Sequence, residues 1–152
     1  MGGIVTAPEA LAAFVGREFV SDWENVGQER IDGFAEATDD RQWVHVDAPR
    51  ANAESPFGAT VAHGYLLVSL IGPAMLGGLF AEARFSAVLN YGLNRVRFLG
   101  PVREGARVRV RTRLESAEAK TSGTLLTTAH TLEIAGDARP AMRAEALWLG
   151  LS

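Results

Sequence analysis

The sequence predicts an α+β domain in which a curved antiparallel sheet wraps one long apolar helix. Three observations lead there. From His63 to about Ala83 the chain is apolar on almost every side of a helix, with no acidic residue before Glu82. Beyond Val88 it changes to segments split by Gly100-Pro101, Glu104-Gly105, Ser122-Gly123 and Gly136-Asp137, the spacing of antiparallel strands. All of this fits within 152 residues without repeats, low-complexity tracts or linkers, so residues 1–152 are expected to form one domain.

In chain order, Pro8 to Val15 predicts a short helix, with Thr6 or Ala7 before it and Gly16 ending it. Glu18 to Val26 predicts a first strand with weak alternation. Between Gln28 and Thr38, Ile31, Phe34, Ala35 and Ala37 suit one helical face. Thr38-Asp39-Asp40 ends that helix and opens a polar loop. Asp47 with Pro49 behind it predicts an N-cap and another short helix, and Ser55-Pro56-Phe57-Gly58 a turn. The helix from His63 must be enclosed by protein, or it would expose a large sticky surface; Gly64 and Gly72 permit close backbone approach, and Pro73 bends it or ends its first portion. The strands follow: Val88–Phe98, Arg107–Leu114 with one wet and one packed face, Thr124–Ile134 and Ala141–Leu149, read as a meander.

Composition narrows the function. The absence of Cys excludes thiol catalysis, thiolate metal sites and disulfides. A net charge of -3 gives no reason to expect nucleic-acid binding. The first eight residues lack the basic and apolar segments of a secretory signal, and the apolar run, broken by Gly72, Pro73 and Gly77-Gly78, is read as too short for a bilayer span. A soluble cytoplasmic protein is expected. Seven arginines (Arg95, Arg97, Arg103, Arg107, Arg109, Arg111 and Arg113) cluster within residues 95–113; a solvated sheet face accounts for them, and a surface for anionic phosphates is the functional alternative.

The chemistry concentrates in Asp39-Asp40-Arg41-Gln42-Trp43-Val44-His45-Val46-Asp47. Asp40 and His45 can reach one water, with Trp43 packed beneath to screen it; the plainer reading has Asp40 capping a turn and His45 closing a surface hydrogen bond. Ala62-His63-Gly64 adds a different component. First-turn amides of a buried helix lack intrahelical partners and favour negative charge, so the Gly64 N–H can stabilise an oxygen turning anionic. A packing glycine and a capping His63 are the structural alternatives. His130 reads as a satisfied structural histidine. No spacing demands a metal, Gly77-Gly78 lacks the Lys-Ser/Thr of a phosphate loop, and no strand–GxGxxG–helix unit is present.

Three blocks, in order, resemble the MaoC-like hydratase/dehydratase family in its NodN-like branch: Phe34-Ala35-Glu36-Ala37-Thr38-x-Asp40-x-Gln42-Trp43-Val44-His45-Val46-Asp47, Pro56-Phe57-Gly58-x-Thr60-Val61-Ala62-His63-Gly64, and Asn90-Tyr91-Gly92-Leu93-Asn94-Arg95-Val96-Arg97-Phe98. The resemblance spans nearly the whole chain and implies a single hotdog fold. It implies a lyase that reversibly hydrates trans-2-enoyl-CoA to (R)-3-hydroxyacyl-CoA, with Asp40 and His45 as the catalytic dyad and Gly64 as the thioester-binding amide. Gln42, Trp43, His63, Asn90, Tyr91, Gly92, Arg95 and Arg97 are the expected substrate contacts, with Arg103 a further phosphate candidate. The substrate is an acyl-CoA or acyl-carrier thioester, CoA being part of the substrate and no separate cofactor being expected. A homodimer joined sheet edge to sheet edge is also implied. Where related hydratases carry a helical Ser this chain has Gly72, and Ser69, three residues earlier, is expected to point elsewhere. A hotdog thioesterase is the nearest enzymatic rival, although Gly64 to Leu79 supplies no Asp or Glu. A noncatalytic acyl-thioester binding protein is the rival of another class.

Overall fold

The computed structural model describes residues 8–152, so the expected cap at Thr6 or Ala7 lies outside the described residues. The first helix is shorter than expected: α1 (Pro8–Leu11) tightens into a 3₁₀ turn at Ala12–Phe14. Gly16 then takes a positive φ of 84° and donates its N–H to the Leu114 carbonyl, which ties this segment to the sheet. The predicted first strand is two pieces, β1 (Glu18–Val20) and β2 (Glu24–Val26), both antiparallel to β4 (Ala106–Lys120). Three residues between the pieces face two on β4. Ser21 fills this bulge, its N–H donating to Val110 O and its Oγ accepting from Val110 N.

Helix α2 (Gln28–Thr38) forms as predicted and buries Ile31 and Ala35, whereas Ala37 faces solvent. The polar loop after it holds an unexpected helical turn, α3 (Trp43–Val46). Asp47 then caps α4 (Ala48–Glu54) as predicted, accepting from the Arg50 N–H at 3.1 Å.

The long apolar helix runs from Gly64 to Glu82 in three segments: α5 (Gly64–Ser69), α6 (Ile71–Gly77) and α7 (Leu79–Glu82). Pro73 explains the first break, because it has no N–H to give the Ser69 carbonyl. One side buries Leu66, Leu67, Leu70, Ile71, Met75 and Leu79. Each such side chain contributes about 1.5–3 kcal/mol. The other side is open, with Tyr65 77% and Leu76 66% exposed, so the expectation that the helix is enclosed is not met within a single chain. Its 19 residues are, by length and composition, enough to cross a membrane, which corrects the reading of the run as too short. Its buried side instead packs into the sheet, as a core helix does.

Strands β4, β5 (Gly123–Ile134) and β6 (Met142–Leu151) are consecutive antiparallel neighbours, as a meander requires. The strand β3 (Ala87–Phe98) departs from it, pairing with β6 and forming the far edge in the order β1-β4-β5-β6-β3. The Gly100-Pro101 turn is therefore part of a crossing from one edge of the sheet to the other. The crossing is anchored by a Val61–Arg103 bridge and by Ala62 N–H to Val102 O at 2.8 Å. The sheet wraps the helix through Val108, Val110, Leu114, Leu126, Leu132, Met142 and Trp148, the arrangement expected of a hotdog fold.

Candidate active site

Helix α2 ends in Asp39, which has φ 62°, the one described non-glycine residue with positive φ. This left-handed cap turns the chain sharply and sets Asp40 beyond the helix end. Arg41 closes the turn by pairing with both Glu36 and Asp39. The next turn, α3, brings His45 back toward α2. Gln28 Nε2 donates to the His45 carbonyl at 2.7 Å, and Thr60, itself buried, donates its hydroxyl to Gln28 Oε1. Gln28 thus joins three segments, a role its sequence position did not reveal.

His45 Nδ1 lies 2.7 Å from the Val61 carbonyl. A carbonyl can only accept, so Nδ1 carries the proton and a neutral ring leaves Nε2 with a free lone pair. Burial lowers the pKa of His45 below its ordinary 6.5, opposed by the Val61 hydrogen bond, deepened by the charge of His63 and opposed again by Asp40. The imidazole is accordingly a neutral base near pH 7.

His63 occupies the N-cap position of α5 but makes no side-chain cap hydrogen bond. Its ring, 2% exposed, stacks on His45 at 3.9 Å between centroids and 24° between planes, with Phe34 at 4.9 Å. Its Nε2 donates to the Asp40 carbonyl at 2.9 Å. Asp40, His45 and His63 thus present donor atoms all within 4.8 Å of one another. The stacking argues against a shared metal. An imidazole lone pair lies in its ring plane, and near-parallel stacked planes do not meet at metal–nitrogen bonding distance. The cluster suits proton transfer.

One residue beyond His63, Gly64 opens α5. A Cβ there would lie 2.8 Å from Phe98 Cε2 and Cζ, closer than packing allows, so β3 fits against bare backbone at this point. Further along, a cavity of about 380 Å³ opens between α5–α6 and β3–β6. Its wall includes Val68, Gly72, Asn90, Tyr91, Gly92 and Trp148, so the first part of the third sequence block meets the helix there, while its last residue, Phe98, meets it at Gly64. Ser69 also lines it, contrary to expectation, because residues three apart on a helix share a face; its hydroxyl, however, is donated to Leu66 O at 2.6 Å.

Other expected contacts lie elsewhere. Gln42 is exposed, and its carbonyl accepts the His45 N–H. Trp43 is half-buried, and its ring meets the Arg50 guanidinium at 4.3 Å, where a screen beneath the dyad was expected. Arg95 and Arg97 pair in register with Glu145 and Arg143, on the face opposite Val96, which packs toward the core. They therefore project from the outer face of the sheet, away from the helix and the dyad. Arg109 and Arg111 bond to Glu133, and Arg111 also to Glu18, the pattern of a solvated sheet face. His130 is buried as expected, with Thr112 at Nδ1 and Thr128 at Nε2, and Thr128 also accepts from Trp148.

The pattern of the MaoC like domain family matches residues 11–135. Over 139 residues the chain is 42% identical to 3-hydroxyacyl-thioester dehydratase Z of Mycobacterium tuberculosis, covering 90% of this chain and 91% of that one. It is 45% identical over 125 residues to nodulation protein N of Rhizobium leguminosarum bv. viciae, covering 82% and 78%. Among solved structures, the (R)-hydratase of A. caviae involved in PHA biosynthesis matches with a TM-score of 0.73 at 22% identity, covering 91% of this chain and 96% of that one; the likeness speaks for the fold.

Proposed function

The chain belongs to the MaoC-like hydratase/dehydratase family, and from that premise we propose that it reversibly hydrates trans-2-enoyl-CoA to (R)-3-hydroxyacyl-CoA. Lyase chemistry on acyl thioesters follows from the family and from 42% identity to a dehydratase across nine-tenths of the chain. The observation that carries the reading is the His45 ring: pinned through Nδ1 to Val61, it leaves Nε2 free in the cluster with Asp40 and stacks on His63, the residue before α5.

In hydration, the Gly64 N–H donates to the thioester carbonyl oxygen and stabilises the enolate that forms. Asp40 and His45 hold a water; His45 Nε2 takes one of its protons as the oxygen bonds to C3, and a proton is delivered to C2. Dehydration reverses each transfer: the C2 proton is removed, and a proton goes to the departing 3-hydroxyl. The cavity beside Gly72 and Trp148 receives the acyl chain. The chain forms a homodimer in this reading, because β3 is a sheet edge whose Leu89, Tyr91 and Leu93 are exposed beside the open side of the helix. Carrier-protein thioesters share the same reacting atoms and are substrates of the same chemistry.

The test incubates the protein with 2-enoyl-CoAs of several lengths, resolves the 3-hydroxyacyl products by chirality and measures free thiol. Asp40→Asn and His45→Ala should each lower turnover by about 10²–10⁴-fold with the fold retained. Full activity in both variants rejects the assignment, and release of CoA without hydration points to hydrolysis.

A further inference from the structure

We propose that His63 is a positioning residue that holds Asp40 and His45 in register while leaving the first amides of α5 open; this rests on the hydration reading above. Arg41 ties the flanking turn to Glu36 and Asp39, but the polar groups of Asp40 itself have little else to fix them. Its N–H makes only a long 3.4 Å contact to Thr38 Oγ1, and its carboxylate has no hydrogen-bond partner among the described residues. Its carbonyl is held by His63 Nε2, a contact that spans 23 positions of sequence.

The same ring fixes the plane of His45 by stacking against it, backed by Phe34. Packing alone does not explain an imidazole here. His63 Nδ1 is buried with no hydrogen-bond partner among the described residues, which costs stability, and Phe would fill the same stack without that cost. What Phe lacks is the Nε2–H that holds Asp40.

The N-cap position adds a second reason. Ser, Thr, Asp or Asn commonly cap a helix by accepting from the N2 or N3 amide. His63 makes no such bond, so its side chain does not occupy the amides that begin at Gly64. One residue thereby serves acid, base and amide without touching the substrate.

The test compares His63→Phe, His63→Gln and His63→Asn with Asp40→Asn on the full-length protein, using 2-butenoyl-CoA and thermal melts. His63→Phe keeps the aromatic stack and loses the donor; kcat should fall about 10²-fold, as for small misplacement of reacting groups, with KM within threefold. His63→Gln restores a donor near Nε2 and should recover kcat to within about tenfold of wild type. His63→Asn should cap α5, raising the melting temperature while lowering kcat. Because the charge of His63 depresses His45, with burial the larger cause and Asp40 opposing, the acidic limb of the pH profile should move to higher pH in the Phe and Gln variants. Wild-type kcat in folded His63→Phe, with Asp40→Asn inactive, overturns the positioning role alone. Losses that only track the folded fraction overturn it as well. An active Asp40→Asn overturns the dyad and this inference together.

Discussion

Replacing Gly64 by Ala separates packing from chemistry at one position. The new methyl would sit 2.8 Å from Cε2 and Cζ of Phe98 and 3.1 Å from Cε1. Contacts this short force either the ring or the start of α5 to move, and overpacking of this kind costs about 1–3 kcal/mol. At roughly 2–4 °C per kcal/mol for a chain of this length, the melting temperature should fall by roughly 2–12 °C. Phe98 is 48% exposed, so the ring has room to swing and the lower half of that range is expected. The amide N–H survives the substitution, but the methyl stands beside the place assigned to the thioester. A displacement near 1 Å should lower kcat/KM about 10²-fold. Phe98→Leu removes the three clashing ring atoms at little cost, because half the ring is already in water. Paired with Gly64→Ala it should restore the melting temperature and leave kcat/KM low. Melts and enoyl-CoA consumption on the two single variants and the double variant make the comparison. Full recovery of both quantities in the double variant would show that Gly64 serves only Phe98.

Three further outcomes follow from charge. In the proposed reading His45 is a neutral base that burial holds below 6.5, so hydration should persist at neutral pH and fade only as pH drops through that lowered value; a loss beginning above 6.5 would contradict the dominance of burial over the Val61 hydrogen bond, which acts the other way. Burial pushes His130 down to about 4, so folding stability on its account is full above 6.5 and falls by about 3 kcal/mol as pH drops to 4. Denaturant unfolding across that window should show a shallower decline in His130→Gln; carboxylates such as Glu133, held low by Arg109 first and Arg111 next, lose their contribution only below 4.5. Arg97 faces Arg143 across β3 and β6, so Arg97→Glu should raise stability by up to about 1 kcal/mol and leave KM for enoyl-CoA within about twofold, whereas a tenfold rise in KM would return Arg97 to the phosphate-binding set.

The fold was legible wherever a pattern could be counted. Alternation in β4, β5 and β6, the apolar helix and the Asp47 cap all express local rules. Partner choice does not: nothing in Val88–Phe98 says that it pairs with β6, and the crossing is held by contacts at Thr60, Val61 and Ala62, far away in sequence. The four residues of α3 are too few to show a period. Of the proposed site, Asp40, His45 and Gly64 stand out in the sequence through the family-like blocks that contain them. Gln28 and Val61 do not, because Gln28 donates its side-chain amide to the main-chain carbonyl of His45 and Val61 accepts through its own, groups that any residue possesses. The arginines near residue 95 were visible as charge; alternation showed that Arg95 and Arg97 share a side of their strand but not which side.

The proton-handling cluster and the cavity have no residue in common. Asp40, His45, His63 and their supports lie between residues 28 and 63, whereas the cavity is walled by residues 68–72, 90–93 and 146–148. If the proposed function holds, a change in the second set alters the room for an acyl chain without passing through the first. Selection can therefore retune which thioesters are accepted while the reaction itself is inherited intact, and a designer can randomise the cavity wall with the proton chemistry held constant.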